Sequence, residues 1–193
     1  MDRDPLAETG DEELVARAQH GDTKAFEVLV ERYKRRAYRI AFHFSRDREE
    51  AKDLSQEAFL RAFAHLKGFD LRARFYTWFY RILVNLCLDH RSREDKIFCE
   101  PLDDKAEHAL ERDDPANPAS SLDGTVLAGE ISRRIARALD DLPSQQRTAF
   151  LLRNHKDLSM RETAEVMGIT EGTAKVHLHR AVLALRKRLA DLI

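Results

Sequence analysis

Arginines and aromatic rings are interleaved in the run Phe69-Asp-Leu-Arg-Ala-Arg-Phe-Tyr-Thr-Trp-Phe-Tyr-Arg-Ile-Leu-Val-Asn85. This combination suits unpaired nucleic-acid bases, which stack on rings while guanidinium groups hold phosphates. Arg72, Arg74 and Arg81 supply the charge. The rings of Phe69, Phe75, Tyr76, Trp78, Phe79 and Tyr80 cannot all lie in one buried stripe. From Phe75 onward, the spacing Phe75, Phe79, Ile82, Leu86 marks a core face and leaves Tyr76, Tyr80 and Arg81 nearer solvent. Trp78 is better read as core. Tyr76 and Tyr80 fit a purely structural role as well as a stacking one. Asn85, further along the helix, offers a donor and an acceptor to a base edge.

A second constellation lies near the C-terminus, in Leu158-Ser-Met-Arg-Glu-Thr-Ala-Glu-Val-Met-Gly168. Ser159 and Glu162 form a capping-box pattern, and Gly168 suits a left-handed stop. Thr170 can cap a following helix whose inward stripe is Ala174, Leu178, Ala181 and Leu185. The pair reads as a helix-turn-helix in which small Ala164 permits close approach. Glu171, Thr173, Lys175, Val176, His177 and Arg180 then face the major groove of duplex DNA. Lys175 and Arg180 are equally suited to phosphate contact, which positions without specifying sequence.

A third patch lies on the helix expected over Glu49 to Leu66. Ala51, Leu54, Ala58, Phe59, Ala62 and Leu66 share its core face. The opposite face carries Asp53, Gln56, Glu57, Leu60 and Arg61, and an apolar Leu60 amid polar and acidic groups suits a groove contact with a basic partner. No phosphate-binding loop, nucleophile elbow, dinucleotide fingerprint or zinc-protease motif occurs. His177 and His179, two apart on a helix, point too far apart to share a metal. Neither catalysis, a cofactor nor a metal is expected.

These residues need helices to position them, and the composition provides for helices. The 193 residues include only 7 glycines and 5 prolines, with 35% charged and 43% hydrophobic content, which favours an all-α soluble chain. Heptad-like spacings of Leu14, Val15 and Ala18, of Phe26, Leu29, Val30 and Tyr33, and of Ala37, Ile40, Ala41 and Phe44 extend the helical pattern through the first part. Gly21-Asp22 breaks two helices, and Ser45 or Asp47 caps the next. Pro101, Pro115 and Pro118 fall where periodicity disappears. The chain therefore divides into a helical domain over 11–93, a flexible acidic linker over 94–128 and a second helical domain over 129–193.

The formal net charge of −1 conceals alternation. Residues 32–93 hold 15 basic and 7 acidic groups, whereas 94–128 hold 3 and 10. A polyanion-binding surface beside an acidic segment fits this pattern, as do ordinary solvated helix faces. No run approaches the roughly 20 apolar residues of a membrane helix, and Met1 to Gly10 is acidic and polar rather than basic then apolar. A cytoplasmic location without membrane insertion is expected. Cys87 and Cys99 lack metal or redox-motif spacing, and Cys87 reads as a small core residue.

With these residues in view, the chain resembles the extracytoplasmic-function class of bacterial sigma factors, the promoter-specificity subunits of RNA polymerase in the sigma-70 family. Asp53-Leu-Ser-Gln-Glu-Ala-Phe-Leu-Arg61 looks like the polymerase-docking helix of region 2. Phe75 to Arg91 looks like the promoter-melting segment, and Leu139-Asp-Asp-Leu-Pro-Ser-Gln-Gln-Arg147 with the following helix-turn-helix looks like region 4. The resemblance implies a non-enzymatic initiation factor. By similarity, Asp53, Gln56, Glu57 and Leu60 would bind the clamp helices of core RNA polymerase. Phe69, Arg72, Arg74, Tyr76, Tyr80, Arg81 and Asn85 would capture the minus-ten element as single strand, with residues 69–74 as the base-capturing loop. Region 4 would read the duplex minus-35 element and touch the core's flap, the acidic linker would thread toward the RNA exit path, and an anti-sigma factor would be a partner. Val176 and His177 depart from the family's common pattern, so the minus-35 preference does not transfer; Ser55 replaces a usual apolar residue and should be tolerated. A stand-alone helix-turn-helix regulator binding duplex DNA as a dimer would explain 158–188 equally well, but not the docking helix or the arginine-aromatic run. A helical adaptor with no DNA role would leave the capped helix-turn-helix unexplained.

Overall fold

A computed structural model describes residues 8–97, 124–154 and 158–190, and every extended element among them is helical. The order is α1 (Asp11–Gln19), α2 (Thr23–Ser45), α3 (Arg48–His65), a single 3-10 turn at Leu66–Gly68, α4 (Phe75–Ile97), α5 (Gly124–Asp140), α6 (Ser144–Asn154), α7 (Met160–Met167) and α8 (Glu171–Arg188). Helix α4 continues past the expected domain boundary at Arg93, and α5 begins before residue 129. The three linker prolines lie outside the described residues.

Side-chain chemistry sets the helix boundaries. Gly21 takes φ 97° in the turn after α1, a conformation open to a residue without Cβ. Asp22 then accepts the Ala25 backbone N–H at 3.2 Å while Arg17 pairs with its other oxygen at 2.7 Å. Of the two proposed caps for α3, Asp47 does the work, accepting the N–H groups of Glu49 and Glu50 at 2.8 and 3.0 Å. Ser45 instead bonds the Asp47 backbone. Between them Arg46 ends α2 in the left-handed region, at φ 61°.

The N-terminal bundle buries the stripes read from the sequence, except that Val30 is half-buried against the core. Leu14, Val15, Ala18, Phe26, Leu29, Tyr33, Ala37, Ile40, Ala41 and Phe44 are all in the core. Its centre is aromatic: the fully buried Phe79 stacks on Phe59 at 4.4 Å between centroids and lies 6.0 Å from Phe75 and 6.4 Å from Tyr33. Such pairs contribute about 0.5–1.5 kcal/mol each beyond area burial. Ser55 is buried in α3, as a replacement for an apolar side chain would be, and its hydroxyl donates to the Lys52 carbonyl at 2.8 Å. Cys87 is buried too, and desolvation pushes its thiol up to about 12, so it stays protonated at neutral pH.

In the C-terminal bundle, α6, α7 and α8 enclose Ala149, Leu151, Leu152, Leu158, Val166, Ala181 and Leu185. The two bundles meet where α4 packs against α7 and the end of α2 against α6. At the second contact Arg147 is only 2% exposed. Its Nη2 donates to the His43 and Phe44 carbonyls at the C-terminus of α2, and its Nη1 lies 2.8 Å from Asp140. A cation among the last carbonyls of a helix is stabilised by the helix dipole.

Phe79→Ala should cost about 3–5 kcal/mol, the range for deleting a buried phenylalanine. Urea unfolding followed by circular dichroism measures it; a loss below about 1 kcal/mol would mean the ring is not central to the core.

Candidate nucleic-acid interface

The loop between the 3-10 turn and α4 is built from its own side chains. Asp70 accepts the Arg72 backbone N–H at 3.0 Å and the Arg72 Nε at 3.0 Å, and Ala73 N–H closes on the Asp70 carbonyl. The Arg72 bonds hold the Asp70 carboxyl below its ordinary value. From α1, the Gln19 amide donates to the Leu66 and Phe69 carbonyls at 2.9 and 2.8 Å, fastening the loop to the bundle. Arg72, Arg74, Arg81 and Asn85 are all exposed, and Tyr76 is partly so. These form one basic face along the loop and the outer side of α4.

Two rings do not lie where the sequence placed them. Tyr80, expected nearer solvent, is buried, its ring meeting Tyr33 edge-on at 6.2 Å. Helix α4 is covered by α2 on one side and α3 on another, so its buried face is broader than the stripe read from Phe75, Phe79, Ile82 and Leu86 and is turned toward Leu83 and Val84, which leaves Ile82 half-buried. Phe69 is buried as well, 4.8 Å from Trp78 and 6.3 Å from Phe75. It anchors the loop. Beside it Leu71, which the sequence reading passed over, is exposed at the loop tip.

On α3, Asp53 and Gln56 are exposed and Glu57 is partly so, paired with Arg61 at 2.7 Å. Leu60 is 66% exposed. One turn on, Phe63 is 47% exposed and leans on Phe26 at 4.9 Å. Its i,i+3 spacing from Leu60 was the available signal, and it doubles the apolar patch.

The helix-turn-helix forms as its caps require. Ser159 and Glu162 make both bonds of the capping box, Gly168 takes φ 67°, and Thr170 accepts the Thr173 N–H at 3.2 Å. Ala164 is buried between α7 and its neighbours. Ala174, Ala181 and Leu185 point inward, with Leu178 only half-buried. Glu171, Thr173, Lys175, Val176 and Arg180 are exposed along α8 and His177 is half-buried. Lys175 is paired with Glu171 one turn back at 2.6 Å.

One contact joins the two faces. Glu162 of α7 accepts from Arg74 Nη1 at 3.1 Å and from the Tyr76 hydroxyl. Burial pushes the Glu162 carboxyl up, but hydrogen bonds from Tyr76 and Ser159 and the Arg74 charge outweigh it and hold the group below its ordinary value. Among the described residues no cluster of side chains has the makings of a metal site, and no helix is long and apolar enough to cross a membrane.

This arrangement meets its counterpart in known proteins. The family model for sigma-70 region 2 matches residues 29–97, and that for sigma-70 region 4 matches 132–185. Over 97% of this chain and 98% of the relative, the sequence is 34% identical to the RNA polymerase sigma-H factor of Pseudomonas aeruginosa. It is 31% identical to the ECF RNA polymerase sigma factor SigW of Bacillus subtilis, covering 92% and 96%. The chain belongs to the extracytoplasmic-function sigma factors of the sigma-70 family. As such it is a transcription initiation factor, which binds core RNA polymerase and directs it to promoters. The fold agrees: CnrH, solved in complex with the cytosolic domain of CnrY, superimposes with a TM-score of 0.70 over 94% of this chain and 97% of that one, at 24% identity. The sigma factor RpoE of Bartonella quintana, solved with the anti-sigma factor NepR, does so at 0.63 over 86% and 98%, with 22% identity.

Because the folded Glu162 carboxyl lies below its ordinary value, its contribution to stability is present above the unfolded value, about 4.3, and is lost as pH falls through the folded one. Wild type should therefore melt above Glu162→Gln at neutral pH, by less than about 1 kcal/mol since Arg74 is largely solvated. The difference should vanish in acid. Thermal melts across pH 3–7 check this; a gap that grows on acidification would reverse the sign.

Proposed function

We propose that this sigma factor engages its partners through three separate surfaces. Region 2 docks on the clamp helices of core polymerase through Leu60 and Phe63, with Asp53, Gln56 and Glu57 as a polar rim. The outer face of the 69–74 loop and α4 holds the melted minus-ten strand: Arg72, Arg74 and Arg81 on phosphates, Asn85 on a base, and Tyr76 with its ring beside a base and its hydroxyl on a phosphate. Phe69 and Tyr80 support these residues from the core rather than stacking on DNA. Helix α8 enters the duplex minus-35 element with Glu171, Thr173, Lys175, Val176, His177 and Arg180, and region 4 also touches the flap. The first domain extends to the end of α4 at Ile97 and the second begins with α5 at Gly124, with the acidic stretch between them threading toward the RNA exit path.

The observation that carries this reading is the exposed Leu60 and Phe63 pair inside a polar and acidic rim. A leucine alone on a surface is unremarkable, but two large apolar groups on adjacent turns are what helix-on-helix docking uses. The protein performs no chemistry of its own, needs no cofactor and works in the cytoplasm with the polymerase. Relatives of this fold are recorded with CnrY and with the anti-sigma factor NepR, and an inhibitor of that kind is a natural partner. A dimeric helix-turn-helix regulator would leave region 2 without a task.

Leu60→Arg should abolish co-elution with core polymerase in gel filtration while leaving the helical circular dichroism unchanged; normal holoenzyme formation would discredit the docking surface. Lys175→Ala should weaken binding to minus-35 duplex. If the contact is a phosphate, the slope of log affinity against log salt should become shallower by about one. An unchanged affinity and slope would remove Lys175 from the interface.

A further inference from the structure

The Glu162 carboxylate is held from both sides. One oxygen, Oε2, accepts the Ser159 backbone N–H at 2.7 Å and completes the capping box of its own helix. The other, Oε1, faces region 2, where Arg74 Nη1 and the Tyr76 hydroxyl converge on it. Arg74 Nη1 also donates to the Tyr76 oxygen at 2.9 Å. A guanidinium and a hydroxyl converging on one anionic oxygen are the donors that a DNA phosphate oxygen meets on a protein. Arg81 belongs to the same contact: its Nη2 would lie 3.5 Å from a Cβ placed on Gly168, so the turn between α7 and α8 rests against it.

We propose that Glu162 occupies, in the free chain, the position of a promoter-strand phosphate, closing the helix-turn-helix onto the minus-ten surface. The closure rests on the assignment of Arg74, Tyr76 and Arg81 to the promoter strand made above. A second latch lies at the other end of the domain contact. Asp140 is approached by Arg147 at 2.8 Å, by Arg46 at 3.6 Å and by Arg91 at 3.7 Å, so arginines of α4, α6 and the α2 terminus share one carboxylate of α5. Arg46 also donates to the Ala136 carbonyl at 3.2 Å. Both latches are made of charge. Arg74 is 64% exposed, so water and salt reach the first latch, and Asp140 is 38% exposed although Arg147 beside it is only 2% exposed; a polyanion that competes for Arg74 therefore loosens the domain contact from the α7 side. The nucleic-acid mimic thus lies inside the DNA-reading domain itself.

Two substitutions outside the strand-binding residues test this. Glu162→Gln keeps the capping box, since an amide oxygen still accepts the Ser159 N–H, but removes the charge facing Arg74. Arg46→Gly removes the Arg46 contacts at a left-handed position where glycine is favoured. Glu130→Gln, on the exposed face of α5, loses the same charge away from either latch and serves as control. The full chain is measured by small-angle X-ray scattering and by fluorescence anisotropy with a short single-stranded DNA of random sequence. Both variants should increase the radius of gyration, and Glu162→Gln should bind the strand tighter by about two- to fivefold, with the control matching wild type. No expansion in either variant overturns the closure. An equal gain in the control overturns the role of Glu162. Expansion without tighter binding overturns the masking; if Arg74→Ala then also leaves strand affinity unchanged, the error lies in the strand assignment rather than in the contact between domains. Should Glu162→Gln fail to fold, Arg46→Gly decides by the same two readings.

Discussion

Stacking of Phe79 on Phe59 fixes the rotation of α4 about its own axis, and most of what region 2 presents to its surroundings follows from that rotation. With Phe79 turned inward, Phe75 and Leu86 follow on the same face, and Arg81 and Asn85 are carried outward. The adjoining loop inherits its position from the same packing, because Phe69 is wedged between Phe75 and Trp78. The polar surface is thereby held by apolar contacts, which are close-packed and do not yield to salt. Gln19 adds two bonds from a helix distant in sequence, so α1 supports a surface to which it contributes no side chain.

Much of this was legible in the sequence, and the misses have physical causes. The capping box at Ser159 and Glu162, the stop at Gly168 and the inward stripe of α8 are local features, fixed by residues within a turn or two of one another, and they form as read except at Leu178, which is half-buried. Burial on α4 was harder. A helix packed on two sides buries a wider arc than one amphipathic stripe, and nothing within 69–85 reveals that α2 and α3 both cover it. Tyr80 was misplaced for that reason, and Phe69 because the loop before α4 folds its ring back onto Phe75 and Trp78. Arg147 was invisible as a core residue, since only the folded chain brings the α2 carbonyls and Asp140 to a guanidinium that would otherwise be placed in water. Glu162 was legible as a cap but not as a partner of Arg74, a residue 88 positions earlier.

Electrostatics in this molecule runs on a few partially solvated pairs. The overall charge is nearly balanced, yet region 2 is strongly basic, and three of its arginines already have acidic partners in region 4: Arg74 with Glu162, and Arg46 and Arg91 with Asp140. Pairs of this exposure contribute little to stability individually. They border an apolar contact that joins the two bundles in one continuous core, so the charged pairs are the part of the domain contact that salt reaches.

The apolar pair on α3 has a further consequence for the protein before polymerase finds it. Leu60 and Phe63 form an exposed apolar patch on the otherwise polar outer face of α3, and such patches invite self-association in a crowded solution. Asp53 and Glu57 stand beside it. Two copies approaching patch to patch would bring these like charges together, and the repulsion opposes the homotypic contact while leaving a basic groove free to approach. Acidic residues bordering an exposed apolar pair thus make the patch selective by charge as well as by shape.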